Sequence, residues 1–188
     1  MALTCFKAYD IRGRLGIDLD DDIAYRIGAA LAVALNAKTV VLGRDVRASS
    51  EALAQSVARG LIEQGCEVLD LGLSGTEEMY FATTHFGADG GICVTASHNP
   101  MDYNGMKMVR AGSAPLDAAS GLALIKQLAE ANKFEKSATL GNIRDVAEEA
   151  RAAYVERICQ FVDVSALKPL KILVNASPPI SAARPILS

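Results

Sequence analysis

GGICVTASHNPMDYNGMKMV, residues 90–109, joins an apolar run, a polar loop and a second apolar run without a break. GGICVTA (90–96) is short and apolar, as expected of a strand buried on both faces. Pro100 stops regular structure. Asn104-Gly105 is a pair favoured in hairpin turns, so a returning strand is expected from Met106. The gap is too short for a helical crossover, so the two strands should be antiparallel.

Outward from this stretch, strands and helices alternate. KTVVLGRD (38–45) and CEVLDLG (66–72) read as buried strands. IAYRIGAALAVALNA (23–37), SSEALAQSVARGLIEQG (49–65), TEEMYFATTHFG (76–87) and PLDAASGLALIKQLAEAN (115–132) read as helices. A Ser cap with Glu51 and Gly65, a Thr76 cap with Gly87 as stop, and an Asp117 cap mark their ends. Asp18 to Asp22 lie ahead of a helix, where capping and the dipole favour carboxylates. They lack the glycine and distal glutamate of a calcium loop. FKAYDIRG (6–13) reads as a short extended opening.

This alternation predicts an α/β fold with a mixed, mostly parallel sheet between helices. Residues 1–135 are expected to form one domain. Residues 136–188 are expected to hold one connecting helix, NIRDVAEEARAAYVERICQFV (142–162), and a truncated second domain. That second domain would begin with the strand LKILVNA (170–176). The tail SPPISAARPILS (177–188) carries three prolines and cannot continue as an unbroken helix.

The chain has 188 residues, 51% hydrophobic and 22% charged, with a net charge of -3. No basic stripe is visible, so nucleic acid is not an expected partner. No apolar stretch approaches the roughly 20 residues that span a bilayer, so no membrane is expected. No leader pattern is visible and the four cysteines form no C-x-x-C pair, so a cytoplasmic chain with reduced thiols is expected.

Ser97 follows the end of a buried strand, where α/β sheets bind ligands. It reads either as a nucleophile or as a turn residue satisfying loop backbone. In extended backbone His98 would point the other way, and only a tight turn would bring the two together. Lys107 reads as an edge lysine or as a cation returned to the loop. Arg12 is either a solvated turn residue or a second cation. Together Ser97, Arg12 and Lys107 would suit phosphate chemistry. Arg44, Asp45 and Arg47 read equally as phosphate contacts or ordinary loop charges. A serine hydrolase would call for G-x-S-x-G, which this loop lacks.

TASHNPMDYNGMK, with FKAYDIRG before it and GRDVRASS (43–50) between them, resembles the α-D-phosphohexomutase family on its bacterial phosphomannomutase branch. The likeness runs from about Leu3 to Asn175 in order and spacing. It implies that Ser97 carries a phosphoryl group, passed to a hexose monophosphate and recovered from a bisphosphosugar. Mannose 6-phosphate and mannose 1-phosphate, with glucose phosphates as an alternative, are the implied substrates. Mg²⁺ would bind Ser97 through its phosphate. Arg12 and Lys107 would stabilise the transferring group and aid proton transfer, His98 and Asn99 would shape the loop, and Tyr9 would line the same cleft.

The family also implies three further domains that complete the cleft, and a glycine-rich turn after LKILVNA, where this chain has its proline-rich tail. Such a tail is what a shifted reading frame or an early stop would leave. The expectation is a fragment that does not turn over alone. The alternative is a non-catalytic remnant or interaction fragment of the same fold.

Overall fold

The computed structural model describes residues 2–173. Twelve elements position the site: β1 (Ile11–Arg14), α1 (Asp21–Leu35), β2 (Thr39–Arg44), α2 (Ser50–Glu63), β3 (Glu67–Leu73), α3 (Thr76–His85), β4 (Gly90–Val94), β5 (Tyr103–Arg110), β6 (Ala114–Pro115), α4 (Ala123–Ala131), β7 (Ile143–Asp145) and α5 (Ala147–Cys159). One sheet runs β1-β5-β4-β2-β3-β7, with β6 added to β5. β4, β2, β3 and β7 are parallel, and β5 pairs antiparallel with both β4 and β1. The expected mixed, mostly parallel sheet is what forms.

Strand alternation divides the core in two. Val40, Leu42, Ile92, Val94, Met106 and Met108 face α1, α2 and α4, packing with Ile27, Leu31, Val57, Leu61 and Ile125. Val41, Leu69, Leu71, Cys93 and Val109 face the opposite way, towards Met79 and Ala82 of α3 and Ala150 of α5. The chain leaves β2 through α2 towards β3 and returns through α3, on the other face, to β4 on the far side of β2. The loops after β2 and β4 therefore diverge side by side. This reversal in strand order is where open α/β sheets form their crevice.

The acidic cluster behaves as a helix start. Asp20 caps α1 by accepting from the Ile23 N–H at 2.8 Å, and Asp21 and Asp22 occupy the first turn. Asp117 caps its segment by accepting from Ala119 and Ser120 N–H.

Several local expectations are corrected. Thr76 is the first residue of α3 rather than its cap, and the Gly75 N–H donates to the Glu78 carboxylate. Ser49 precedes α2 without a side-chain capping bond. The helix expected over 115–132 is broken at Gly121, whose φ of 140° leaves helical space, so α4 starts at Ala123. The opening 6–13 is not one extended run: Phe6 bridges back to Ile11, where β1 begins.

The expected single helix over 142–162 is instead β7 followed by α5. β7 pairs parallel with β3, Val68 opposite Ile143. Residues beyond 135 thus extend the sheet as well as leaving it. Leu170 to Leu173 form no strand and are exposed. The rest of the expected 170–176 strand, and the tail 177–188, lie outside the described residues.

Candidate functional site

Asn104-Gly105 is not the turn between β4 and β5. Both residues lie inside β5 and both are buried. The reversal occurs earlier, over residues 95–102. The Asn104 amide nitrogen donates to Ser49 Oγ at 2.8 Å and Ser50 Oγ at 3.0 Å, and its oxygen accepts from the Gly105 N–H at 2.8 Å. Gly105 sits opposite Arg12 of β1, and a Cβ there would lie 2.0 Å from the Ile11 carbonyl oxygen. The close passage of β1 explains the glycine where turn propensity does not.

Ser97 stands at the tip of the 95–102 loop in the left-handed region, at φ 53°. An L-residue rarely adopts this conformation, at a cost of ~1–2 kcal/mol. Thr95 Oγ1 accepts from the Ser97 N–H at 2.9 Å, and the Ala96 carbonyl accepts from the Asn99 N–H at 3.0 Å. The resulting turn does what extended backbone would not. Ser97 Oγ and His98 Nδ1 come within 3.1 Å of each other, with both residues exposed. Among the described residues no carboxylate bonds His98, so the pair lacks the orienting third group of a hydrolytic triad.

Arg47, left open between phosphate contact and loop charge, proves to be a loop residue of a specific kind. Nη1 donates to the carbonyl oxygens of Pro100 at 2.8 Å and Tyr103 at 3.2 Å. Nη2 donates to those of Ser97 at 3.0 Å and Asn99 at 2.5 Å. Nε faces Asp45 at 3.6 Å, and only 9% of the side chain is exposed. Asp45 accepts from Ser50 Oγ at 2.5 Å. The motif GRDVRASS contained the residue, but nothing local in it says which loop the guanidinium reaches.

Arg12 donates from Nη1 to the Thr95 carbonyl at 2.9 Å and from Nη2 to Asp10 at 2.7 Å. It therefore ties β1 to the base of the serine loop, with Asp10 balancing its charge. Lys107 sits opposite Cys93 and two residues beyond Gly105, on the same face of the sheet as Arg12. Among the described residues it makes no ion pair. Lys107 and the exposed Tyr9 line one cavity of about 220 Å³ with Tyr80 and Ser113. Asn99 enters the loop through its backbone N–H and carbonyl.

A separate cavity of about 420 Å³ lies between α2 and β7, lined by Leu42, Ala58 and Ile143 among others. None of Arg12, Ser97, His98 and Lys107 lines it.

A Mg²⁺ site fits these residues poorly. Among the described residues no group of three His, Cys, Asp or Glu is placed to hold a metal. Asp10 and Asp45, beside the loop, are already committed to Arg12 and Arg47. Ser97 Oγ alone is not the oxygen set that this ion requires. Among the described residues no helix is long and apolar enough to cross a membrane.

Residues 4–136 match the family model described as phosphoglucomutase/phosphomannomutase, alpha/beta/alpha domain I. A phosphomannomutase of Salmonella typhimurium is 54% identical over 187 residues, which is 98% of this chain and 40% of that protein. A phosphomannomutase of Klebsiella pneumoniae is 56% identical over 147 residues, covering 77% of this chain and 94% of that one. The crystal structure of a phosphoglucomutase/phosphomannomutase family protein from Burkholderia thailandensis superposes with a TM-score of 0.73 at 35% identity, over 84% of this chain and 36% of that one. The chain thus spans about 40% of the length of the Salmonella relative.

Proposed function

The chain belongs to the phosphoglucomutase/phosphomannomutase family, and from that premise we propose that Ser97 is the phosphoryl carrier of a phosphomannomutase-type reaction. The observation that carries this reading is the exposed Ser97 hydroxyl, presented on a left-handed turn at the reversal in strand order. The division at residue 135 remains part of the proposal, with residues 1–135 carrying the serine.

In this reading a phosphoryl group on Ser97 Oγ passes to a free hydroxyl of a hexose monophosphate. The Oγ–P bond breaks, a P–O bond to the sugar forms, and the sugar hydroxyl loses its proton. Ser97 Oγ regains a proton, and His98 Nδ1, 3.1 Å away, is placed to hold it. The bisphosphosugar then returns its other phosphoryl group to Oγ. Lys107 and Arg12 share the adjoining sheet face; Lys107 supplies positive charge where the transferring oxygens gather it, and Arg12 adds what its pairing with Asp10 leaves. Mannose phosphates are the proposed substrates, with glucose phosphates as the alternative.

These 188 residues, taken as a separate polypeptide, should accept the phosphoryl group without completing the interconversion. Gripping the sugar at a distance from the reacting atoms supplies positioning that the serine loop alone does not.

The test is incubation of the chain with mannose or glucose 1,6-bisphosphate, followed by intact mass and phosphosite mapping. The expected result is one added phosphoryl group at Ser97, absent from Ser97→Ala. Phosphate elsewhere, or none, overturns the carrier reading. Clear sugar-phosphate interconversion that Ser97→Ala abolishes overturns the claim that turnover needs more than this chain. Labelling of Ser97 by a fluorophosphonate would favour hydrolase chemistry instead.

A further inference from the structure

We infer that Arg47 is the positioning residue of the serine loop: its guanidinium holds Ser97 in the left-handed conformation and thereby fixes where the Ser97 hydroxyl stands. The inference about phosphoryl transfer rests on the carrier reading of Ser97; the inference about loop conformation does not.

One guanidinium accounts for four carbonyl oxygens of residues 97–103, so most of its fork of donors is spent on this loop. Carbonyls crowded on one side of a turn repel each other unless a cation gathers them. The Ser97 and Asn99 carbonyls converge on Nη2, and this places the 97–98 and 99–100 peptide planes. A serine at φ 53° persists only where its surroundings over-determine it. Thr95 Oγ1 contributes one such contact, at the Ser97 N–H, the bond from the Asn99 N–H to the Ala96 carbonyl a second, and Arg47 those at the Ser97 and Asn99 carbonyls.

Arg47 is itself held. Asn104 donates to Ser50 Oγ, Ser50 donates to Asp45, and Asp45 pairs with Arg47. Arg47 then donates to the carbonyl of Tyr103, the residue before Asn104. These contacts close a ring from β5 through the start of α2 and back to β5. Its members are mostly withdrawn from water, which strengthens each bond and makes a missing one costly. The ring joins the two loops that diverge at the strand reversal.

Lysine will not replace this residue, because an ammonium is a point donor and does not reproduce a planar fork. Arg47→Lys also keeps the charge, so it separates geometry from electrostatics. The test uses the full chain and two readouts. Amide hydrogen exchange in Arg47→Lys should quicken by about tenfold or more at Ser97, Asn99 and Tyr103, while the amides of α1, α2 and β2 keep their protection. The rate of Ser97 phosphorylation at saturating hexose 1,6-bisphosphate should fall by about a hundredfold, with the half-saturating concentration little changed, as expected of a misplaced reacting atom.

Wild-type exchange and wild-type phosphorylation in Arg47→Lys overturn the inference. So does faster exchange spread evenly over the core, which would make Arg47 a general stabiliser. Should the unsubstituted chain take no phosphate while Arg47→Lys loosens only the loop, the carrier reading falls and the positioning inference stands.

Discussion

The Asn104 amide nitrogen lies 3.0 Å from Ser50 Oγ, and this bond ties the second residue of β5 to the first residue of α2. Both residues are fully buried. Asn104→Ala would leave the two serine hydroxyls short of a donor and open a small void. A loss of about 1–3 kcal/mol is expected, read as a lower urea midpoint at unchanged slope. An unchanged midpoint would mean that the contact is dispensable.

Gly105 meets β1 too closely for any side chain. A Cβ there would sit 2.0 Å from the Ile11 carbonyl oxygen, which is backbone and not free to swing aside. Gly105→Ala should cost about 3 kcal/mol and separate β1 from β5. Proton exchange at the β1 amides would report the separation, and retained protection there would contradict it.

Ser97 should trade stability against chemistry. Glycine occupies the left-handed region freely, so Ser97→Gly relieves the strain of φ 53°. Ser97→Gly is expected to be as stable as the wild type or up to about 1 kcal/mol more stable, while taking no phosphoryl group. Calorimetry and intact mass check the two halves separately; a clear loss of stability would show that the serine hydroxyl supports the loop.

Lys107 makes no ion pair among the described residues, so its removal should leave the fold alone. Lys107→Met is expected to keep the wild-type melting temperature and to slow phosphoryl uptake at Ser97 by about a hundredfold. Equal uptake in both proteins would return Lys107 to the edge-strand role.

The thiols give a pH dependence with a definite sign. Burial raises Cys5 and Cys66 to about 11 and Cys93 to about 12, whereas Cys159 is exposed. The folded state therefore holds these three protons more tightly than the unfolded chain does. Their contribution to stability is whole below the ordinary thiol range near 9 and is lost as pH rises from there through 11 and 12. Urea midpoints should decline above pH 9. A thiol reagent at neutral pH should label Cys159 rapidly and the other three only in urea; rapid labelling of Cys66 would refute the burial argument.

Much of the fold was legible because its signals are local. The apolar runs of β2, β3 and β4, the acidic cluster ahead of α1 and the Asp117 cap each act within a few residues. β7 was illegible for the opposite reason: Ile143, Arg144 and Asp145 are all exposed and carry no apolar alternation. It is a strand because β3 presents an unpaired edge to it, and periodicity does not record that. Asn104-Gly105 misled because its turn propensity was overridden by the passage of β1 on one side and the buried Ser50 hydroxyl on the other.

The sequence by itself determined the alternating α/β order, the antiparallel return of β5 and the placing of Ser97 just beyond a buried strand. Patterning and loop length act along the chain, so one dimension is enough to read them. Only the tertiary structure decided that Ser97 bends back onto His98 and that Arg12 is spent partly on Thr95. It alone decided that the Arg47 guanidinium reaches the carbonyls of Ser97, Asn99, Pro100 and Tyr103. A guanidinium finds its carbonyls some fifty residues away, and that partnership exists only once the sheet has set β2 beside β4.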